Sequence, residues 1–167
     1  GVPLTLLKLN TGHHSAAVEM GMSAPGELDL LARLVGPTVG VITNIGPAHL
    51  EFFGSLEKVA EAKAELLDHL APSATAVLNA DDRFLEMFKS RFHGRRLTFG
   101  IQNRADLSAS RIRRDGEYME FTLAWDGRAV NVRLRAAGMH NVYNALAAAT
   151  AAVAVGMSLD AVKVGLD

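Results

Sequence analysis

TVGVITNIGPAHLEFFGSLEKVAEAKAELLDHLAPSATAVLNADD, residues 38–82, carries the pattern that decides the fold. It opens and closes on short apolar runs, Thr38 to Thr43 and Thr75 to Leu78, bounded by Gly, Pro, Asn or Asp as buried parallel strands are. From Ser55 onward Leu56, Val59, Ala60, Leu66, Leu67 and Leu70 recur at three- and four-residue intervals, which is the stripe of an amphipathic helix. The unit therefore reads strand, loop, helix, strand. Lys63 falls at the centre of the stripe, whereas Lys58 points away from it. A core-facing ammonium must lose water and then pair, deprotonate or change chemically.

Working outward, the same rhythm extends in both directions. Ser15 to Met20 (SAAVEM) reads as an earlier strand, and helices are expected near Pro3, over Pro25 to Leu34, over Ser55 to Leu70 and over Arg83 to Phe92. From Leu97 to Ala137 the segments LTFG, LSASRIRR, YMEFTLAW and VNVRLRA alternate about turn signals at Asp115-Gly116 and Asp126-Gly127. They are expected as antiparallel hairpins packed beside or beyond the main sheet. An alanine-rich helix over Asn141 to Val155, ended by Gly156, and a further helix capped by Ser158 close the chain. The fold class is α/β, a mainly parallel sheet flanked by helices with an antiparallel segment around 97–137.

Composition bounds the function. The chain has 167 residues, about half of them apolar, enough for one sizeable core and one domain. Seventeen basic residues against eighteen acidic ones argue against nucleic acid or an anionic membrane as partner, and the locally basic Arg83 to Arg114 reads as a solvated face. The absence of cysteine excludes disulfides and thiolate metal sites and fits the cytoplasm. No run approaches the roughly 18 apolar residues of a membrane span, and the first residues lack the basic, apolar and small-residue order of a signal peptide. A start at Gly1 rather than Met suggests a piece of a longer protein.

Ligands of parallel α/β sheets bind outside the carboxyl ends of the strands. At those places stand Glu19-Met20-Gly21, then Thr43-Asn44 with the loop to His49, then Asn79-Ala80-Asp81-Asp82. Such oxygen and nitrogen donors suit Mg²⁺ and phosphates better than zinc. Each has a plainer reading. Glu19 would cap the next helix or pair with a base, His49 would be a polar loop residue, and Asp81 and Asp82 would N-cap the following helix. His13-His14 receives no role. For Lys63 two readings stand: a side chain whose ammonium escapes or pairs with Glu19 or Glu51, or one aimed at the ligand edge, where carbamylation by CO₂ would make it an anion able to hold Mg²⁺. Asn141 and Asn144 share one helix face, placed either for capping or for reading a hydrogen-bonding edge such as adenine.

Taken together, EMG with PGE (Glu19 to Gly21, Pro25 to Glu27), TNIGPAHLEFFGS (Thr43 to Ser55), AKAEL (Ala62 to Leu66), NADD (Asn79 to Asp82) and GMHNVYNALAA (Gly138 to Ala148) resemble the central domain of the Mur ligases over nearly the whole chain. The wording is nearest the members that add D-alanyl-D-alanine to UDP-N-acetylmuramoyl-tripeptide. The resemblance implies an ATP-dependent amide-bond ligase of cytoplasmic peptidoglycan synthesis that works through an acyl phosphate, with ATP and Mg²⁺ as cofactors. It implies Glu19 and His49 as metal ligands and Lys63 as the carbamylated lysine supporting the second metal, with Lys63 and His49 in the catalytic set. His140, Asn141 and Asn144 would lie near the ATP base and Asn44 at the substrate side.

Two departures qualify the match. No GxxGKT phosphate loop is found in the chain, and neither the domain that holds the UDP-sugar nor the one that closes over ATP is represented. Residues 1–167 are therefore expected to form a partial central domain, without its first strand and phosphate loop, that is inactive alone. It would self-associate through an exposed sheet edge. The alternatives are the central domain of another Mur or folylpolyglutamate-type ligase, or a non-catalytic binding or scaffold domain that lost the phosphate loop.

Overall fold

The computed structural model describes residues 1–47 and 52–167 in full, and residues 50 and 51 by their backbone. In chain order the elements are α1 (Val2–Leu6), α2 (Glu27–Val35), β1 (Val39–Ile42), α3 (Leu50–Phe53), α4 (Leu56–Asp68), β2 (Thr75–Asn79) and α5 (Leu85–Arg91). They continue with β3 (Arg95–Gly100), β4 (Leu107–Asp115), β5 (Tyr118–Trp125), β6 (Arg128–Leu134), α6 (Met139–Ala154) and α7 (Leu159–Leu166). The six strands form one sheet in the order β1-β2-β3-β4-β5-β6. The first three pairings are parallel and the last two antiparallel.

The period-two alternation of the strands explains the layers. Ile42, Ala76 and Leu78 face α2, α4 and α5, where Leu28, Ala32, Ala60, Ala64, Leu67 and Phe88 complete one core. Val77, Phe99, Leu107, Leu123 and Val132 face the other way, onto Val142, Leu146 and Val153 of α6 and Leu159 and Val162 of α7. With both faces covered, β2 is buried along its whole length. This is why TAVLN reads as a continuous apolar run rather than an alternating one. Ser55 starts α4 by accepting the N–H of Lys58 at its hydroxyl, 3.3 Å away, as an N-cap should. Glu65, one turn before the end of α4, accepts the N–H groups of Gly26 (2.9 Å) and Asp29 (3.1 Å), which fixes the start of α2 against α4.

The fold class stands as expected, and three details of the sequence reading change. The strand expected over Ser15 to Met20 does not form: these residues are largely exposed, and none of their backbone groups bonds to another segment among the described residues. Two alanines, a valine and a methionine offer little apolar area to hold the segment on the sheet, and the outer edge of β1 stays unpaired among the described residues. The run containing LTFG is not part of a hairpin. As β3 it lies parallel to β2, with Leu97 opposite Val77, and the antiparallel part begins only at Leu107 and continues the same sheet. Third, α5 is not capped by Asp81 or Asp82, since it begins at Leu85 with Phe84 at its N-cap and no side-chain cap. The Asp126-Gly127 turn forms as read, both residues at positive φ between Trp125 and Arg128.

Candidate functional site

The carboxyl ends of β1, β2 and β3 meet the first turns of α6 around a cavity of about 480 Å³. It is lined by Thr43, Asn44 and Ile45 after β1, by Asn79, Asp81, Asp82 and Arg83 after β2, and by Gln102 after β3. His140, Tyr143 and Asn144 supply the wall on α6, and Leu56 that on α4. A cleft at the carboxyl edge of parallel strands is the expected ligand position of this architecture. A second, larger cavity of about 720 Å³ opens on the outer side of α4 and α5, among Lys58, Glu61, Glu65 and Arg91, away from the strand ends.

The turn after β1 is held at three successive residues by side chains from elsewhere. Asn79 donates through Nδ2 to the carbonyl of Thr43 (3.0 Å), Lys63 donates through Nζ to the carbonyl of Asn44 (2.9 Å), and Asp82 accepts the N–H of Ile45 (2.7 Å). The other oxygen of Asp82 accepts the N–H of Phe84 at 2.9 Å. Thus the helical stripe turns Lys63 towards the turn after β1, half-buried and outside the cavity lining, and its partner is a backbone carbonyl rather than Glu19. Burial lowers the Lys63 pKa from the usual 10.5, and the nearby Asp82 carboxylate works against that shift.

Asp81 forms the opposite wall. Its carboxylate accepts the N–H groups of Ile101 (2.6 Å) and Asn103 (2.7 Å), that of Gln102 at both oxygens, and the hydroxyl of Tyr143 at 2.8 Å. Burial raises its pKa, but the backbone N–H groups and Tyr143 outweigh burial and hold it below the usual 3.8. Tyr143 is pushed up to about 12, first by its burial and then by the Asp81 carboxylate it donates to.

Of the residues singled out from the sequence, Asn44, His140 and Asn144 come together at the cavity. Asn141 is turned back, donating to the carbonyl of Ala137 (2.8 Å) and accepting weakly from Asn144 at 3.4 Å, so it caps no N–H of α6, and Asn144 alone of the pair lines the cavity. Glu19 is exposed, on irregular chain, and outside the cavity lining. His49 lies outside the described residues. Among the described residues no group of three or more His, Cys, Asp or Glu is arranged to hold a metal ion. The sequence placed Asn79 at the strand end without a role of its own, and Tyr143 and Gln102 received none. An asparagine ending a wholly apolar strand was a usable signal, because a buried amide must find partners; nothing in the sequence marked Gln102.

The sheet, its helices on both faces and the polar cleft at the strand ends define an α/β domain whose cleft lies where ligands of this architecture bind. The chain belongs to the Mur ligase middle domain family, whose model matches residues 1–152. It is 38% identical over 167 residues to the UDP-N-acetylmuramoyl-tripeptide–D-alanyl-D-alanine ligase of Haemophilus influenzae, covering 100% of this chain and 36% of that protein. The crystal structure of MurF from Acinetobacter baumannii superposes with a TM-score of 0.94 at 35% identity, over 99% of this chain and 36% of that one. MurF from Thermotoga maritima, solved in complex with ADP, gives 0.87 at 28% identity, over 99% and 38%. The chain spans just over a third of the length of these relatives. Among the described residues, no helix is long and apolar enough to cross a membrane.

Proposed function

We propose that this chain is most of the central, nucleotide-binding domain of a longer, cytoplasmic ATP-dependent ligase that joins D-alanyl-D-alanine to UDP-N-acetylmuramoyl-tripeptide. The observation that carries the reading is the match over the chain's full length, in sequence and in three dimensions, to ligases of that name. The reaction needs a carboxylate activated as an acyl phosphate and then attacked by an amine. Its demands are orientation and stabilisation of negative charge.

The cleft supplies groups suited to the nucleotide. His140 and Asn144, supported by Asn141, present a ring and amide edges for an adenine base, and Asn44 stands across the cleft on the side assigned to the peptide substrate. Magnesium suits the donor set: the chain has no thiolate, and the Glu19 carboxylate has no partner among the described residues. Glu19 and His49 would hold it together with Lys63 as its carbamate. When bound, the metal would neutralise charge on the transferring phosphoryl group. Lys63, already desolvated at the strand ends, is placed for conversion from cation to anion, which would end its donation to Asn44 and remove the cost of a half-buried ammonium. In this chain alone, β1 has an unpaired outer edge among the described residues, and Leu4, Leu7, Leu30 and Leu34 of the nearby α1–α2 region are exposed. Self-association through that side is expected, and a monomer by light scattering at tens of micromolar would contradict it.

The test uses the full-length protein that contains this domain. ADP should form only when UDP-N-acetylmuramoyl-tripeptide and D-alanyl-D-alanine are both present, and Lys63→Ala should abolish turnover, with partial rescue by a short-chain carboxylic acid. ADP release driven instead by another acceptor, such as a folate with glutamate, would overturn the substrate assignment. Full activity of Lys63→Ala would overturn the carbamate.

A further inference from the structure

Asp81 gathers donors from two separate elements at one point. Its oxygens receive the N–H groups of Ile101, Gln102 and Asn103 from the β3–β4 loop and the Tyr143 hydroxyl from α6. A carboxylate has about four lone-pair positions, and these four donors use them, so Asp81 has none left for a ligand or a metal. The approach is close as well. A Cβ placed on Gly100 would stand 3.3 Å from each carboxylate oxygen and 3.2 Å from the Ala80 Cβ, so a side chain at the last residue of β3 would need these neighbours to give by a few tenths of an ångström. Asn103 adds a bond in the reverse direction, from its Nδ2 to the carbonyl of Ala80 at 3.1 Å.

What Asp81 holds is the wall of the cavity. Gln102 is fixed through its own N–H, and Tyr143 through its hydroxyl, beside Asn144 on the same helix. The start of α6 has no side-chain cap, and the Tyr143–Asp81 bond adds a polar tie to the apolar packing of Val142 on the sheet. Because the Asp81 carboxyl stays ionised and the Tyr143 phenol stays protonated through the neutral range, the direction of that bond does not change there.

We infer that Asp81 is the positioning residue for base recognition: by tying the β3–β4 loop to α6 it sets the separation of the Gln102 and Asn144 amides, which together select a 6-aminopurine over a 6-oxopurine. Two carboxamides facing one cavity suit the alternating donor and acceptor of an adenine edge, a pairing that amide side chains make elsewhere. This rests on the nucleotide reading above and adds Gln102 and Asp81 to it. Asp81 touches no ligand and acts only through the groups it holds.

The test compares Asp81→Asn and Tyr143→Phe in the full-length protein, with ATP and GTP as alternative substrates and inorganic triphosphate as a competitive inhibitor. Asparagine can accept at one oxygen only, and phenylalanine keeps the ring while removing the donor. Each should raise KM for ATP about tenfold with kcat within about twofold. Each should also narrow the preference for ATP over GTP and leave triphosphate inhibition unchanged. The double variant should be no worse than Asp81→Asn, because the one bond that Tyr143→Phe removes is among those that Asp81→Asn disrupts. A fall in kcat with KM and base preference unchanged, in step with a lower melting temperature, would mean a merely structural role and overturn the inference; Tyr143→Phe decides this if Asp81→Asn does not fold. A parent enzyme that does not saturate with ATP would instead remove the nucleotide reading, and this inference with it.

Discussion

Replacing Asn79 with alanine tests how the site is tied to the sheet. Asn79 ends β2 with only 8% of its surface exposed, and its amide bridges two segments: Nδ2 donates to Thr43 at 3.0 Å, and Oδ1 accepts the N–H of Asp81 at 2.9 Å. Alanine removes both bonds. At about 1 kcal/mol net for each, the loss is about 2 kcal/mol, kept from rising further because Thr43 is exposed enough for water to replace the lost donor. For a domain of this size that lowers the melting temperature by about 4–8 °C. The assay is urea unfolding followed by far-ultraviolet circular dichroism, in which the midpoint should fall with an unchanged slope. Asn79→Asp sharpens the test, since it keeps the acceptor for Asp81 but faces the Thr43 carbonyl with an oxygen and adds a charge beside Asp81 and Asp82. It should be less stable than alanine. Alanine within about 0.5 kcal/mol of the parent, or aspartate equal to asparagine, would refute the bridge.

Lys63→Met should leave stability within about 1 kcal/mol of the parent, because the lost bond to Asn44 is offset by relief from burying an ammonium; a loss above about 2 kcal/mol in the same assay would show that the fold needs this lysine. The charged form of Lys63 is disfavoured by folding, so the parent should gain stability as the pH rises towards 10.5, and Lys63→Met should lack that gain in unfolding curves taken across the alkaline range. Gly138→Ala should cost about 1–3 kcal/mol, since φ there is 104° and the new Cβ would meet the His140 ring at 2.6 Å; the unfolding midpoint checks the cost and the His140 imidazole resonances check the displacement. Asp81 and Tyr143 bracket the pH range of stability. The lowered pKa of Asp81 contributes above 3.8 and is lost as the pH falls through the folded value, whereas the raised pKa of Tyr143 contributes below 10 and is lost as the pH climbs towards about 12. Tyr143→Phe should therefore flatten the alkaline limb of a stability–pH profile, and an unchanged limb would count against the pair.

By itself the sequence determined those features whose cause is local. Helical spacing over Ser55 to Leu70 put Lys63 on the inward stripe and Lys58 outside it, the Asp126-Gly127 pair set a hairpin turn, and the motif wording identified the family. Local cause is also why SAAVEM was misread. It has the composition of a short buried strand, yet a strand is made by its neighbours, and residues 15–20 pair with none among the described residues. The parallel course of β3 was hidden for the same reason, because LTFG looks alike in either direction and only the partner strand settles it. Above all, the tertiary structure decided the roles of Asn79, Asp81 and Asp82. As neighbours before a helix Asp81 and Asp82 suggest capping; folded, Asn79, Asp81 and Asp82 reach partners 36, 62 and 37 residues away at Thr43, Tyr143 and Ile45. A carboxylate or amide takes its role from whichever donors and acceptors the packing brings within about 3 Å, and those contacts are made only when the sheet and α6 close around the cleft.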